Sequence, residues 1–303
     1  MRLNKLDLNL IVVLDALLTE VSIKHAASKL FLSPSATSNA LARLRDFFED
    51  DLLQQMGKTM VLTPKAISLQ KPVRDLLLQV QTITRTSAEF DPKSSDRRIV
   101  IEAFDVTMHV FLDDVVRHLM QEAPQMQFDL RLMDPGYQAS LESGKTDLLI
   151  VPKAFTVPDH AAEPLYSDDW SCITWTDNDL PSEPTLDEYL SLEHAAIQWH
   201  DSKFKSHKEQ ALTQQGYTRR PKVTAPGFTL LYPFLIGTRL VATVPTLLAR
   251  KLASYLPLRV LACPLSMPRI VQQIQWRRYH EHDPAICWVR DVMHRRAAAM
   301  AVR

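Results

Sequence analysis

The chain has 303 residues, more than one small domain needs, so two or three units with separate cores are expected. Hydrophobic residues make up 46% of the chain and charged residues 23%, which is the composition of a globular protein, and no apolar run is long enough to span a membrane. The formal net charge is zero, so whole-chain electrostatics do not indicate a nucleic-acid partner.

The cysteines and the first apolar run of the sequence indicate the cellular compartment. The three cysteines lie far apart and form no CxxC pair, which is typical of a reducing environment without a disulfide framework. Asp7, Asn9 and Asp15 interrupt the first apolar run, and no small-residue cleavage site follows it, so a signal peptide is not expected. We therefore expect a cytoplasmic protein.

The first fifty residues predict three short helices. Residues 7–18 have apolar side chains at helical spacing behind an aspartate cap. Ser22 caps a second helix at residues 23–30, whose small residues allow close crossing. Residues 31–32 leave room only for a sharp turn, and Ser33 followed by Pro34 is typical of the start of a third helix. Two helices joined by such a tight turn form a helix-turn-helix.

The third helix has two unlike faces. The face expected to pack on the other helices consists of Ala36, Thr37, Ala40, Leu41, Leu44, Phe47 and Phe48. The opposite face and its flanks consist of Ser35, Ser38, Asn39, Ala42, Arg43 and Arg45. Small hydrogen-bonding side chains can enter a major groove and reach base edges, and arginines on the rims suit phosphates. An ordinary solvent face would instead carry Glu, Lys and Gln.

A short hairpin follows the third helix. Residues 51–56 and 59–62 bracket Gly57-Lys58, so Lys58 is expected at the tip of a wing, where it would contact a phosphate. The predicted DNA-contacting residues are Ser33, Ser35, Ser38, Asn39, Arg43, Arg45 and Lys58.

A longer helix is predicted to begin at Thr63-Pro64. Its apolar seam has coiled-coil spacing and consists of Leu69, Val73, Leu76, Val80 and Ile83, although Pro72 interrupts it. The seam predicts a helix that pairs two subunits and sets the distance between two DNA-reading helices. The alternative is a helix that packs on its own domain. Residues 90–96 are polar and broken by proline, which marks a domain boundary.

Strands and helices alternate from residue 97 onward. Strands are predicted at 99–104, 127–133, 148–151, 172–175, 195–199, 222–225, 240–244 and 258–262, and helices at 108–121, 137–143, 185–191, 204–215, 229–236 and 246–253. This alternation predicts parallel sheets covered by helices, which bind ligands beyond the carboxyl ends of their strands.

Candidate ligand-binding residues therefore follow the predicted strands. They are Asp105, Thr107, Met108, Pro152, Phe155, His200, Ser202, Gly227 and Phe228. Hydroxyl and imidazole groups beside Phe and Met side chains suit a small aromatic molecule with polar substituents.

Catalytic motifs are not found. None of the six glycines lies in a dinucleotide-binding fingerprint or a P-loop, and no nucleophile–base pair can be argued from spacing. Residues 280–283 read His-Glu-His-Asp, but such a run before a proline is more typical of a surface loop than of a metal site. We therefore expect no enzyme, no cofactor and no metal site.

Several motifs together identify a family. They are Leu6-Asp7-Leu8-Asn9-Leu10, Ala26-Ala27, residues 32–38 (Leu-Ser-Pro-Ser-Ala-Thr-Ser), residues 41–44 and Leu62-Thr63-Pro64. With these motifs the chain resembles the LysR family of bacterial transcriptional regulators along essentially its whole length. Further residues resemble the subgroup of nodulation activators and regulators of aromatic degradation: Phe90-Asp91-Pro92, Ser95, Arg97, Trp276, His280, Asp283-Pro284-Ala285, Trp288 and Arg290.

The resemblance implies an α/β protein with an N-terminal winged helix-turn-helix, a linker helix and an effector domain of two subdomains like those of periplasmic binding proteins. The expected boundaries are 1–63 for the DNA-binding domain, 64–89 for the linker, 90–96 for a hinge, 97–161 with 267–303 for the first subdomain, and 162–266 for the second. It also implies a homotetramer built as a dimer of dimers, with the effector between the subdomains. His194 joins the effector set because it matches a histidine near that cleft in salicylate-responsive relatives.

Two positions depart from the family pattern. Many members have Gln-Pro after the capping serine, but this chain has Pro34-Ser35, so a glutamine contact to a base is not carried over. Many members also have a basic residue in the first wing strand, where this chain has Gln55.

The leading expectation is an activator that responds to a small aromatic co-inducer and controls genes for degrading aromatic or chlorinated aromatic compounds. Its expected partners are double-stranded operator DNA, the effector, further copies of the chain and RNA polymerase, but no membrane. One alternative is a nodulation-type activator that responds to a flavonoid. A solute-binding protein without DNA function is another, and an enzyme on an α/β scaffold is the third.

Overall fold

The chain forms two units, Met1–Ala88 and Glu89–Arg303, in a computed structural model that describes residues 7–57, 59–85, 90–198 and 221–301. Side chains are described at these positions except 81–85 and 301. In the described ranges no helix is both long and apolar enough to cross a membrane.

The first unit consists of four helices and a hairpin. In chain order they are α1 (Leu8–Glu20), α2 (Ile23–Lys29), α3 (Pro34–Phe48), β1 (Leu53–Met56), β2 (Thr59–Leu62) and α4 (Pro64–Arg85). The side chains of Asp7, Ser22 and Ser33 cap the first three helices by accepting hydrogen bonds from backbone N–H groups, as the sequence predicts. Each such cap stabilises its helix by about 1 kcal/mol.

The linker helix α4 packs on α1 of its own unit. Val73 is buried in the same core as Leu14 and Leu17, and Leu69 and Leu76 pack against that core. The first part of the predicted pairing seam is therefore already covered within the unit, which is the alternative that the sequence left open. Val80 is half-buried, and the side chain of Ile83 lies outside the described residues.

Polar contacts with α1 also hold α4 against its own unit. Gln70 donates from Nε2 to the carbonyl oxygen of Leu18 at 3.0 Å, and Arg74 Nη1 lies 3.1 Å from Asp15 Oδ2. The helix also continues through Pro72, so the proline does not divide it.

The described part of the second unit consists of alternating strands and helices. In chain order they are β3 (Arg98–Ala103), α5 (Asp105–Thr107), a π-helical turn (Met108–Leu112), α6 (Asp113–Glu122), β4 (Gln127–Leu132), α7 (Tyr137–Ser143), β5 (Leu148–Pro152), β6 (Ala161–Asp168), β7 (Trp170–Trp175), α8 (Leu186–Ser191), β8 (His194–Ile197), β9 (Val223–Ala225), α9 (Tyr232–Leu235), β10 (Val241–Pro245), α10 (Thr246–Ala253), β11 (Leu258–Ala262), β12 (Ile270–Trp276) and α11 (Pro284–Ala301).

The strands form two five-stranded sheets. The first sheet has the order β4-β3-β5-β12-β6, and the second has the order β11-β7-β10-β8-β9. Strands β4, β3 and β5 pair in parallel, as do β10, β8 and β9, whereas β6, β7, β11 and β12 pair antiparallel to their neighbours. The prediction of parallel sheets is therefore wrong for part of each sheet, because both sheets are mixed.

Strands β6 and β12 are missing from the prediction, and they change the subdomain boundary. Both belong to the first sheet, where they pair antiparallel to each other. Residues 162–168, which the sequence assigns to the second subdomain, therefore lie in the first sheet as part of β6. The helix predicted at 204–215 lies outside the described residues.

The residues around 280 form buried structure instead of a surface loop. His280 is 4% exposed, and its Nε2 lies 3.0 Å from Nη2 of Arg277. Asp283 accepts a hydrogen bond from Arg97 and caps the first turn of α11 through the backbone N–H groups of residues 285 and 286. Within the part of the chain that the structure describes, no three His, Cys, Asp or Glu side chains converge to hold a metal ion.

Candidate DNA-binding and effector sites

Helix α3 presents a small polar face outside the core of the first unit. Ser35, Ser38 and Asn39 are exposed, whereas Leu41 and Leu44 are buried on the opposite side. This is the arrangement that the sequence predicts for a helix that enters a major groove. Ala36, Ala40, Phe47 and Phe48 differ from the predicted buried face, since Ala36 is exposed and the other three are only partly buried.

The hydroxyl of Ser33 holds the first turn of α3 together. Its Oγ accepts a hydrogen bond from the backbone N–H of Ala36 at 3.1 Å and lies 3.0 Å from Oγ of Ser35. Both serines are exposed, so either hydroxyl can also meet a phosphate at the N-terminus of the helix.

The two predicted rim arginines have different roles. The side chain of Arg43 is 61% exposed, and its Nη2 lies 3.9 Å from Asp7 Oδ2, which leaves it available to a phosphate. Arg45 instead donates from Nε to the carbonyl oxygen of Asp51 and from Nη2 to that of Leu53, both at 2.8 Å. Its guanidinium therefore ties α3 to the start of the wing, contrary to the phosphate contact that the sequence suggested. Lys58 lies outside the described residues.

Arg45→Ala is expected to destabilise the first unit by about 1–3 kcal/mol, because the carbonyl groups of Asp51 and Leu53 lose a charged hydrogen-bond donor. Chemical denaturation followed by circular dichroism measures the loss. Arg43→Ala serves as the control, and its effect on stability should stay within about 0.5 kcal/mol. Equal stability of the two variants would contradict the structural role of Arg45.

A cleft lies between the two sheets of the second unit and holds about 760 Å³ of empty space, the open solvent at its mouth included. Of the predicted effector residues, those that line it are Asp105, Pro152, Phe155, Gly227 and Phe228. The sequence missed the other lining residues, namely Phe104, Val106, Trp170, Ile197, Pro226, Pro245, Ile270 and Gln272.

Some of the missed residues, Trp170 and Gln272 among them, follow from the mixed topology. Parallel strands reach the cleft with their carboxyl ends, but antiparallel strands reach it with their amino ends. Trp170 begins β7 and pairs with Pro245 at the end of β10, and Gln272 near the start of β12 pairs with Pro152 at the end of β5. A search restricted to residues after strands could not have found them.

Three predicted effector residues lie in the core instead of the cleft. Thr107 is fully buried beside Tyr166, and Met108 packs against the core of the first sheet, because the helical segment after β3 turns both side chains away from the cleft. His194 is 1% exposed, and its Nε2 lies 2.8 Å from the carbonyl oxygen of Tyr189. As the first residue of β8, His194 lies at the end of the strand away from the cleft. His200 and Ser202 lie outside the described residues.

Asp105 joins the two subdomains at the edge of the cleft. Its Oδ2 accepts hydrogen bonds from the backbone N–H of Thr229 at 2.7 Å and from the hydroxyl of Thr229 at 2.8 Å. Asp105 follows a strand of the first sheet, whereas Thr229 lies in the 3-10 turn Phe228–Leu230 beside the second sheet. The neighbouring Val106 is buried in the core of the second sheet. The two subdomains therefore contact each other directly next to the space where a ligand would lie.

Asp168 ends β6 and contacts the start of α10. The side chain is 6% exposed and accepts hydrogen bonds from the backbone N–H groups of Asp169 and Leu247. Burial raises the pKa of this carboxyl to about 6, although the two backbone hydrogen bonds lower it.

Asp168→Asn is expected to change how stability depends on pH. Because the folded pKa of about 6 lies above the ordinary 3.8, the folded state holds the proton longer, so the contribution of Asp168 to stability falls as pH rises from 4 to 7. The free energy of unfolding of the wild type falls by about 3 kcal/mol over this range. A neutral amide at this position does not titrate, so the variant does not lose this stability. Chemical denaturation at several pH values should show that the stability of Asp168→Asn rises relative to that of the wild type as the pH rises from 4 to 7. Asp179→Asn, at an exposed carboxylate, is the control, and a difference that stayed constant with pH for Asp168→Asn would contradict the assignment.

Two family models match the chain. "Bacterial regulatory helix-turn-helix protein, lysR family" matches residues 8–67, and "LysR substrate binding domain" matches residues 92–298. Nodulation protein D 2 of Rhizobium tropici is 38% identical over 302 residues, which is 99% of this chain and 96% of that protein.

Solved structures show the same fold. A protein of Pseudomonas aeruginosa described as a "probable transcriptional regulator" has a TM-score of 0.62 at 27% identity, with 96% of this chain and 97% of that chain covered. CbnR, solved in complex with its target DNA, has a TM-score of 0.54 at 13% identity over 96% of this chain and 100% of that chain, a likeness of fold alone.

These matches confirm the predicted fold class, a winged helix-turn-helix and linker helix followed by a two-subdomain α/β effector domain. LysR regulators bind operator DNA and small effector molecules, form oligomers and are not enzymes. The chain belongs to the LysR family of bacterial transcriptional regulators.

Proposed function

We propose that this regulator is a transcriptional activator that reads its operator with α3 and responds to a small aromatic molecule bound in the cleft between its two sheets. The apolar cleft, which the Asp105–Thr229 contact borders, is the observation that carries this proposal. A ligand at this place would touch both subdomains and so favour one of their arrangements over others.

The aromatic nature of the effector is inferred from the walls of the cleft. Phe104 and Phe155 form an edge-to-face pair on the side of the first sheet, with ring centroids 5.4 Å apart. Trp170 and Phe228 form a second pair on the side of the other sheet, with centroids 6.0 Å apart. Aromatic rings pack well in edge-to-face and offset geometry, so a flat ring between these pairs would bury most of its surface.

The DNA-contacting face is proposed to consist of Ser35, Ser38, Asn39 and Arg43, with Ser33 at the N-terminus of α3 and Lys58 of the wing as further phosphate contacts. The serines and the asparagine can read base edges, and Arg43 can meet the backbone. Two copies would read half-sites about one helical turn apart. Pairing of subunits would use the later part of the α4 seam, at Val80 and Ile83.

The target genes are proposed to be of the nodulation type, since the relatives similar over the whole chain are named nodulation proteins. An aromatic effector suits both this reading and the control of aromatic catabolic genes. We further propose a cytoplasmic homotetramer that contacts RNA polymerase. Its domains are residues 1–63, the linker 64–89, the hinge 90–96, the first subdomain at 97–168 with 270–303, and the second at 169–269.

Footprinting of the full chain on DNA upstream of neighbouring divergent genes tests the proposal. We expect protection of a near-palindromic site, and a changed pattern when 4-phenylphenol or a hydroxyflavone is added. Binding should weaken steeply with salt, as phosphate contacts require. A pattern that no aromatic compound changes, together with an absence of ligand affinity, would overturn the effector role of the cleft.

A further inference from the structure

Gln272 is a buried polar residue in the wall of a mostly apolar cleft. The residue is 4% exposed and lines the cleft beside Ile270. Its Oε1 has no hydrogen-bond partner among the residues that the structure describes. A buried polar group without a partner costs about 1–3 kcal/mol, so native structures rarely keep one.

The strand pairing is irregular next to Gln272. Gln272 pairs with Tyr166 of β6 and Pro152 of β5, and the register of β12 against β6 shifts between Gln272 and Gln273. Such irregularities occur next to functional sites, where they change the direction of a side chain. The shift therefore lies at a residue that lines the cleft.

A second glutamine on the same strand shows what a structural role looks like. Gln275 is 1% exposed, and its amide accepts from the backbone N–H of Val157 at 2.7 Å and donates to the carbonyl oxygen of Val157 at 3.1 Å. Both ends of that amide are used inside the protein. Gln272 has no comparable backbone partner for its Oε1, so its amide is suited to a group that enters from the cleft.

The carboxylate of Asp105 is another polar group on the described wall, and one of its two oxygens is already engaged. Asp105 lines the cleft, but its Oδ2 accepts two hydrogen bonds from Thr229. A ligand that enters would therefore meet aromatic rings and the amide of Gln272. A hydroxyl group both donates and accepts, so it can pair with either end of an amide.

We propose that Gln272 is a specificity-determining residue of the effector site, which selects an aromatic effector with a ring hydroxyl over the same ring without one. This inference rests on the proposed effector function of the cleft and adds the chemical group that the effector must carry. The hydroxyl satisfies the buried amide on binding, whereas a ring without it leaves the amide unpaired.

The experiment compares 4-phenylphenol with biphenyl by titration of the full chain, followed through tryptophan fluorescence. The wild type should bind the hydroxylated compound about tenfold more tightly, which corresponds to one hydrogen bond. Gln272→Leu has a similar volume but no amide, and it should bring the two affinities to within about twofold. Its thermal midpoint should not fall, because the variant removes an unpaired buried group.

Gln273→Leu is the matched control, since Gln273 is the next residue on β12 and does not line the cleft. It should keep the tenfold preference. Equal affinities of the wild type for both compounds, or an unchanged preference in Gln272→Leu, would overturn the role of Gln272 and leave the effector function of the cleft standing. Failure of the wild type to bind either compound would count against both inferences.

Discussion

A chain with Asn39→Glu is expected to lose at least about 100-fold in affinity for its operator while it folds normally. Asn39 is exposed on α3, so the change removes no core contact. Loss of a base contact costs about 1–3 kcal/mol, and a carboxylate on this face adds repulsion from the phosphates.

Electrophoretic mobility shift assays on operator and unrelated DNA, at fixed salt, measure the expected loss. Gln127→Glu is the control, because it makes the same charge change at an exposed position in the other unit. It should leave operator affinity within about twofold of the wild type, since Gln127 is not part of α3 and an exposed charge is screened by salt. Undiminished operator preference in Asn39→Glu would show that α3 uses another face.

Local sequence signals were enough to predict the first unit. Ser33 followed by Pro34 determines where α3 starts, because the cap and the proline act within one helical turn. Arg45 could not be assigned this way. Its partners at residues 51 and 53 are set by where the chain returns after the helix, which helical spacing does not reveal. The seam of α4 was ambiguous for the same reason, since spacing shows an apolar stripe but not what covers it.

The sequence predicted the α/β class of the second unit but not the strand order of its sheets. Strand β6 contains Pro164, and β12 contains three glutamines, so neither has the apolar run expected of a buried strand. Because these strands run antiparallel, missing them also hid Gln272. The resemblance placed His194 at the ligand, although His194 is the first residue of a parallel strand. It therefore lies at the end of β8 that is away from the cleft.

Gly227→Ala is expected to break the contact between the two subdomains. The backbone at Gly227 is extended, with φ −153°, so alanine meets no backbone strain there. A Cβ atom would instead lie 2.6 Å from Oδ2 and 2.9 Å from Cγ of Asp105, which is closer than real contacts allow. Asp105 must move, and both of its hydrogen bonds to Thr229 are then lost.

The expected cost of Gly227→Ala is about 2–4 kcal/mol, from overpacking and from two lost hydrogen bonds to a charged group. For a unit of this size that lowers the thermal midpoint by roughly 5–15 °C. Asp105→Ala removes the obstructing carboxylate, so it supplies the control in a double-mutant cycle. The chain with both changes should be as stable as Asp105→Ala alone, because the added methyl group no longer meets a carboxylate. If the two losses of stability were additive, the close approach of Asp105 would not be the reason for a glycine at position 227. The Asp105–Thr229 contact would then not depend on Gly227.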